Sequence, residues 1–332
     1  MKAAVFKALG HPLAIENVPE PKPARDEVLI KVGRCGICGS DLHMTAEAAF
    51  GATPGMILGH EFSGEVIEAG AEVQRLKKGD SVAVAPLRGC GHCASCLAGR
   101  PAWCTAFMLQ GGGYAEYATA TERQCRVLPK TISLEDGALV EPLAVSLHGV
   151  NLSGLAQGAR VVVLGAGPIG LAVTFWAHRQ GAGKIVVRDL MEAPRALAET
   201  VGASAFIPAR EDMAVVNEAL GGPADIVFEC VGVPGIIAQA IDTVRPRGTV
   251  VVLGLSTLPD TFVPFRAVAK ELRIQTSAFF ETPDFEMVLK TLDAGAKEPH
   301  ALITGTVPLA EMPPTFEALR HRTTQCKVMV AA

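Results

Sequence analysis

Cys90, Cys93, Cys96 and Cys104 crowd one short stretch, GCGHCASCLAGRPAWC. Four thiolates at this spacing can wrap one tetrahedral zinc, with Zn–S distances of about 2.3 Å. Gly91, Gly99 and Pro101 suit a tight loop wound around an ion. A redox device is the poorer reading, because a thioredoxin-like motif needs one CxxC beside a βαβ unit. A zinc ribbon for nucleic acid would bring basic residues, and this lobe has only Arg88 and Arg100. His92 lies inside the cluster and reads as an exposed loop residue. Four sulfurs leave no open coordination position, so such a zinc is structural and the chemistry must be elsewhere.

A sparser set lies in three separate segments. GRCGICGSDLH supplies Cys38, LGHEFSGEV supplies His60 and Glu61, and LVEPLAVSLHGV supplies Glu141. One soft and several harder ligands could hold a zinc and leave room for a water or an alcohol oxygen. A His-Glu pair at a strand turn is otherwise ordinary polar surface, so the weight falls on the joint occurrence of these groups.

The third signal is Gly165-Ala166-Gly167-Pro168-Ile169-Gly170, inside VVVLGAGPIGLAV. It follows an apolar run and opens a helical one, the context that makes a GxGxxG a dinucleotide site. Gly165 permits the tight turn, Gly167 admits a pyrophosphate, and Gly170 lets helix and strand pack closely. The helix N-terminus adds partial positive charge. The next strand, KIVVRDL, ends at Asp189. A carboxylate there accepts from the adenosine ribose hydroxyls and repels a 2′-phosphate, which favours NAD over NADP. Arg188 complicates this, since it could swing towards a phosphate.

The positioning elements follow from the pattern around these groups. Short apolar runs broken by Gly and Pro fill the first part of the chain, as in a turn-rich β-barrel or sandwich. From ARVVVLGAG onward, apolar strands alternate with helical periods, which means βαβ units and a parallel sheet. The tail carries DFEMVLKTLDAG and a last strand, KVMVA. The expected organisation is a β-rich domain over 1–144 and 275–332, with a zinc lobe at 88–105, interrupted by a parallel-sheet domain over 145–274. With 49 % hydrophobic and 19 % charged residues, 332 residues can bury sizeable cores. A net charge of −4 without a basic stripe argues against nucleic acid. No apolar run is long enough to span a membrane. The N-terminal residues lack the pattern of a signal peptide. A cytoplasmic protein is expected, where clustered cysteines serve as ligands. Cys35, Cys125, Cys230 and Cys326 read as small buried hydrophobes.

In this order, CGICGSDLH, GHEFSGEV, the four-cysteine lobe, GGGYAEY, EPLAVSLHG and GAGPIG resemble the zinc-dependent medium-chain dehydrogenase/reductases, the alcohol dehydrogenase superfamily. Glu61 and Glu141 resemble its sorbitol, threonine and butanediol dehydrogenase branch. The resemblance implies an α/β plus β-rich fold: a Rossmann parallel-sheet domain and a GroES-like β-barrel catalytic domain, with the site between them. It implies two Zn2+ per chain. Cys38, His60 and Glu61 would be ligands of the catalytic one, with Glu141 either a fourth ligand or the holder of a water. It also implies a proton relay at Ser40 and His43, and an Asp41 that orients a ligand. On the residues alone, Ser40 could be a turn residue, Asp41 a cap and His43 an unremarkable histidine. The implied reaction is reversible NAD-linked oxidation of an alcohol to a ketone, with hydride passing to the nicotinamide ring. Met44, Phe50 and Met56, with Trp103, Phe107 and Met108, suggest a secondary alcohol with an apolar body. A polyol, butanediol or L-threonine is the alternative substrate. A zinc-free quinone reductase and a non-catalytic NAD-binding protein are the rival functions. A homodimer or homotetramer, paired near LRIQTSAFF, is implied by the same resemblance.

Overall fold

The computed structural model describes residues 1–321 and 324–332. The chain divides into two compact units, Met1–Glu141 with Glu281–Ala332, and Pro142–Phe280.

In the first unit a seven-stranded sheet runs in the order Ile303–Pro308, Lys327–Ala331, Glu27–Gly36, Glu61–Ala69, Ser81–Val84, Cys125–Val127, and Tyr117–Thr121 also pairs with Glu27–Gly36. The long strand EVLIKVGRCG can turn its apolar residues inward because Val28, Ile30 and Val32 sit two apart on one face. Phe6, Phe62, Val66 and Phe316 close the same core. The last strand of the chain lies antiparallel to Glu27–Gly36, with Met329 opposite Gly36 and Val330 opposite Cys35. That pairing carries Lys327 to the turn where Ile37 and Cys38 leave the sheet.

The second unit is a six-stranded parallel sheet in the order Ala205–Pro208, Lys184–Asp189, Arg160–Leu164, Ala224–Glu229, Val244–Val252, Arg273–Thr276. Its central strands are apolar on both faces: RVVVL and KIVVRD read as continuous β-branched runs, as a doubly covered sheet requires. Strand order reverses between Arg160–Leu164 and Ala224–Glu229, and such a switch point is where a ligand crevice opens. The helix Pro168–Arg179 starts beside that point. A boundary at 274/275 would fall inside the edge strand Arg273–Thr276, which pairs over its whole length with Thr249–Val252; the unit runs on to Phe280. No helix among the described residues is long and apolar enough to cross a membrane.

Candidate active site

Cys38 ends the chain's exit from the sheet and is the N-cap of the helix Gly39–Ala46. Glu61 starts the strand Glu61–Ala69, and His60 directly precedes it. Ligand atoms of Cys38, His60 and Glu61 lie within 4.8 Å of one another. Gly59 fixes the entry to this pair. Its φ of +82° is left-handed, and a Cβ there would sit 2.6 Å from the ring of Tyr114.

Behind these three side chains is a buried polar chain. His60 Nδ1 lies 3.3 Å from Asp41 Oδ1, and Tyr114 Oη donates to Asp41 Oδ2 at 2.5 Å. Asp41 Oδ1 makes no hydrogen bond of good geometry. The contact to His60 is therefore a close electrostatic approach. Burial opposes charge on Asp41, but His60 and the hydrogen bonds win and hold its carboxyl below the usual range. Burial also opposes charge on His60, and Asp41 and Cys38 more than offset it, raising that imidazole well above its usual value. Burial, with Asp41 beside it, pushes the Tyr114 phenol well up, so it remains a donor.

Glu61 is buried and pairs with Lys327, whose Nζ is 2.7 Å from both carboxylate oxygens and 3.0 Å from the Ile37 carbonyl oxygen. Burial disfavours the ammonium, yet Glu61 more than compensates and raises the Lys327 pKa. Glu61 thus faces Cys38 and His60 with its charge already partnered by Lys327. Glu141 is buried and stands outside the group of three, but near enough for His60 and Glu61 to act on it. Burial is the main cause that pushes its pKa to about 7.

Ser40 Oγ donates to Cys38 Sγ at 3.2 Å. His43 lies one turn on along the same helix, and its Nδ1 is 2.6 Å from Glu47 Oε1. An ionised carboxylate can only accept, so Nδ1 carries the proton and Nε2 is left for other work. Phe50 lies against the His43 ring at 5.8 Å between centroids.

A thiol, an imidazole whose Nδ1 faces a buried carboxylate, and a carboxylate form a donor set that fits zinc with positions left open. The sulfurs of Cys90, Cys93, Cys96 and Cys104 also lie within 4.8 Å of one another. Cys104 Sγ accepts from the backbone N–H groups of Cys90 and Ala106, each at 3.3 Å. Such donors favour thiolate: N–H bonds, first from His92, lower the Cys90 thiol to about 6, and Cys104 is also lowered. Burial, in contrast, holds Cys96 at about 12. The four sulfurs fit a closed zinc site. His92 is exposed and turns its Nδ1 to the Cys90 carbonyl, away from the sulfurs.

In the parallel-sheet unit, Gly165 has φ +96° and Gly167 is the N-cap of the helix Pro168–Arg179. A Cβ on Gly170 would run into the Gly165 carbonyl, so the helix packs against the turn as only glycine allows. Pro168 and Ile169 form the helix's first residues. Asp189 accepts from the N–H groups of Ala166 at 2.8 Å and Met191 at 2.9 Å. This places its carboxylate beside the glycine turn, where a dinucleotide's ribose would lie. Arg188 points to the opposite face and is buried. It donates to the carbonyls of Ala209 and Glu211 and contacts Met213 Sδ.

Tyr114, Glu47 and Lys327 escaped notice in the sequence as parts of the site. Tyr114 carried a signal, being one of only two tyrosines and set in a glycine run. A lysine opening an apolar terminal strand gives none.

The chain matches the models of the alcohol dehydrogenase GroES-like domain over residues 24–130 and of the zinc-binding dehydrogenases over 168–294. It is 33 % identical to the (R,R)-butanediol dehydrogenase of Bacillus subtilis, with 96 % of each chain covered. It is 32 % identical to the D-xylulose reductase A of Aspergillus niger over 93 % of this chain and 91 % of that one. Among solved structures, a Sinorhizobium meliloti 1021 protein assigned as a zinc-binding dehydrogenase and bound to NADP superposes with a TM-score of 0.91. Its identity is 33 %, over 100 % of this chain and 99 % of that one. Coverage of both units at this identity settles the relationship: the chain belongs to the zinc-binding alcohol dehydrogenase family, in its sorbitol and butanediol dehydrogenase-like branch, and is an oxidoreductase acting on CH–OH groups.

Proposed function

We propose that the enzyme oxidises a secondary alcohol with an apolar body to its ketone and passes the hydride to NAD. The carrying observation is the convergence of Cys38, His60 and Glu61 on one point, with Asp41 buried behind His60. Bound there, zinc supplies a Lewis acid that lowers the pKa of an alcohol. Cys38 and His60 hold it, Glu61 or Glu141 completes the set, and Asp41 keeps the His60 proton on Nδ1. Ser40 takes the alcohol's proton as it gives up its own hydroxyl proton, which swings from Cys38 towards His43 Nε2, the ring being oriented by Glu47 through Nδ1. Gly165, Gly167, Pro168, Ile169 and Gly170 cradle the pyrophosphate at the helix N-terminus. Asp189 accepts from the adenosine ribose. The inward turn of Arg188 favours NAD, although the Sinorhizobium relative was solved with NADP. Phe50 against His43, with Met44 and Met56 in the same segment, supports an apolar substrate body. Trp103 and Met108 are exposed on the cysteine lobe. A polyol or diol remains the second reading, favoured by the names of the Aspergillus and Bacillus relatives.

The oligomer is read as a homodimer or homotetramer, from the open edge strand Arg273–Thr276 and the exposed Phe265 and Val268 near it in the chain. A cytoplasmic setting is supported by nine cysteines without a disulfide among them.

A substrate panel with NAD and NADP, run beside metal analysis, tests the function. Two zincs per chain and preference for aliphatic or cyclic secondary alcohols with NAD are expected. Sorbitol, xylitol or threonine ahead by a wide margin would overturn the substrate. A single zinc that is lost in Cys90→Ser would point to a non-catalytic relative.

A further inference from the structure

Tyr114 is fully buried, and its hydroxyl is committed. It donates to Asp41 Oδ2 at 2.5 Å and lies 3.4 Å from the Gly36 carbonyl oxygen. The backbone on both sides is pinned: Tyr114 N donates to Leu58 O, and Ala4 N donates to Tyr114 O. Its ring meets Phe316 edge-on at 6.2 Å and covers Gly59, the residue before His60. One side chain therefore touches the ligand histidine's surroundings twice, through the carboxylate facing its Nδ1 and through the turn that presents its backbone. A phenylalanine would fill the same space but leave Asp41 Oδ2 with no phenolic donor, inside a core where a buried carboxylate needs its bonds.

We propose that Tyr114 is a positioning residue for the catalytic metal, holding Asp41 so that Asp41 holds His60. This rests on the reading of Cys38, His60 and Glu61 as metal ligands. It adds a third member, built from the glycine-rich segment 111–114, to the imidazole–carboxylate pair.

The test compares wild type with Y114F, D41N and the double variant. Zinc release to a chromogenic chelator is timed, and visible spectra of the cobalt(II)-substituted proteins are recorded. The catalytic phase is identified as the one C38S lacks, and a thermal melt of each variant confirms folding. Removing the hydroxyl is expected to speed release from that site by about tenfold, at the lower end for outer partners of a metal ligand, and to shift the cobalt bands. Release from the four-cysteine site should be unchanged. The double variant should be no worse than D41N, because the tyrosine acts through the aspartate. Wild-type release and spectrum in Y114F, with D41N altered, would reduce Tyr114 to a filler of space. Additive effects in the double variant would also overturn the proposal. A D41N indistinguishable from wild type, with both zincs bound, would overturn the proposal alone, and a wild-type chain with one zinc would remove the metal reading along with it.

Discussion

Two adjacent side chains at the end of the strand Lys184–Asp189 face opposite ways, and the proposed preference for NAD rests on that alternation. Strand period sends Arg188 into the core, where carbonyls hold it, and leaves Asp189 at the glycine turn. Asp189→Ala should raise KM for NAD by about tenfold, roughly one strong hydrogen bond, and narrow the preference over NADP. Arg188→Leu should leave that preference alone. Steady-state kinetics with both dinucleotides separate these outcomes, and an unchanged KM in Asp189→Ala would remove the residue from the cofactor site. The two cysteine sets divide in the same way. Cys38→Ser should abolish turnover by more than a hundredfold while the melting temperature holds, because an open site owes its worth to chemistry. Cys93→Ser should lower the melting temperature first, because a closed site holds a loop. Equal effects on both measures would contradict the division. The four-cysteine lobe and the glycine turn stood out because their spacing is local, whereas Cys38, His60 and Glu61 come from separate segments and stood out only through their joint occurrence with those two. Lys327 did not, since its partner lies 266 residues away and only strand pairing brings them together. Arg188 could be read either way until its strand face was known.

Elements are tied at their ends by charges that the pattern of apolar runs does not reveal. Asp225 opens the strand Ala224–Glu229 and binds Arg160, from the neighbouring strand on one side, and Arg245, from that on the other. Burial opposes its charge, but hydrogen bonds from the two arginines prevail and bring its pKa from 3.8 to about 2. A carboxyl with a lowered folded pKa gives its full stabilisation above the unfolded value. That contribution should fade as pH falls from 3.8 through about 2. Asp225→Asn should cost about 1–3 kcal/mol near neutrality and flatten this part of the acid limb. Urea melts of both proteins across the acid range check it, and parallel acid limbs would show that the arginines gain nothing from the charge. The strand and helix order was readable from periodicity, because doubly covered strands are continuous apolar runs. The fine boundary at the edge strand was not. RIQT is largely exposed and polar, and only its ladder to Thr249–Val252 assigns it to the sheet.

On the scale of the whole molecule, the parallel sheet stops at a strand with no neighbour on its outer side among the described residues. An edge of unpaired N–H and C=O groups invites a second chain, and proteins that stay monomeric usually blunt it with charge. Here the nearby sequence does the reverse. Phe265 is 74 % exposed and Val268 70 %, with Phe262, Val263 and Ile274 also exposed. Apolar surface of this kind close in sequence to an open edge suits self-association. Two copies related by a twofold axis would each present the same patch, which closes the assembly without leaving an edge. Light scattering on wild type should therefore give twice or four times the chain mass of 34.7 kDa. Phe265→Asp with Val268→Asp places a charge where two apolar side chains would meet its copies. That variant should fall to smaller species at micromolar concentration while keeping both zincs, since neither residue belongs to a cysteine set. A wild type that elutes as a single chain at every concentration would show that the edge and its apolar border serve some other purpose than self-association.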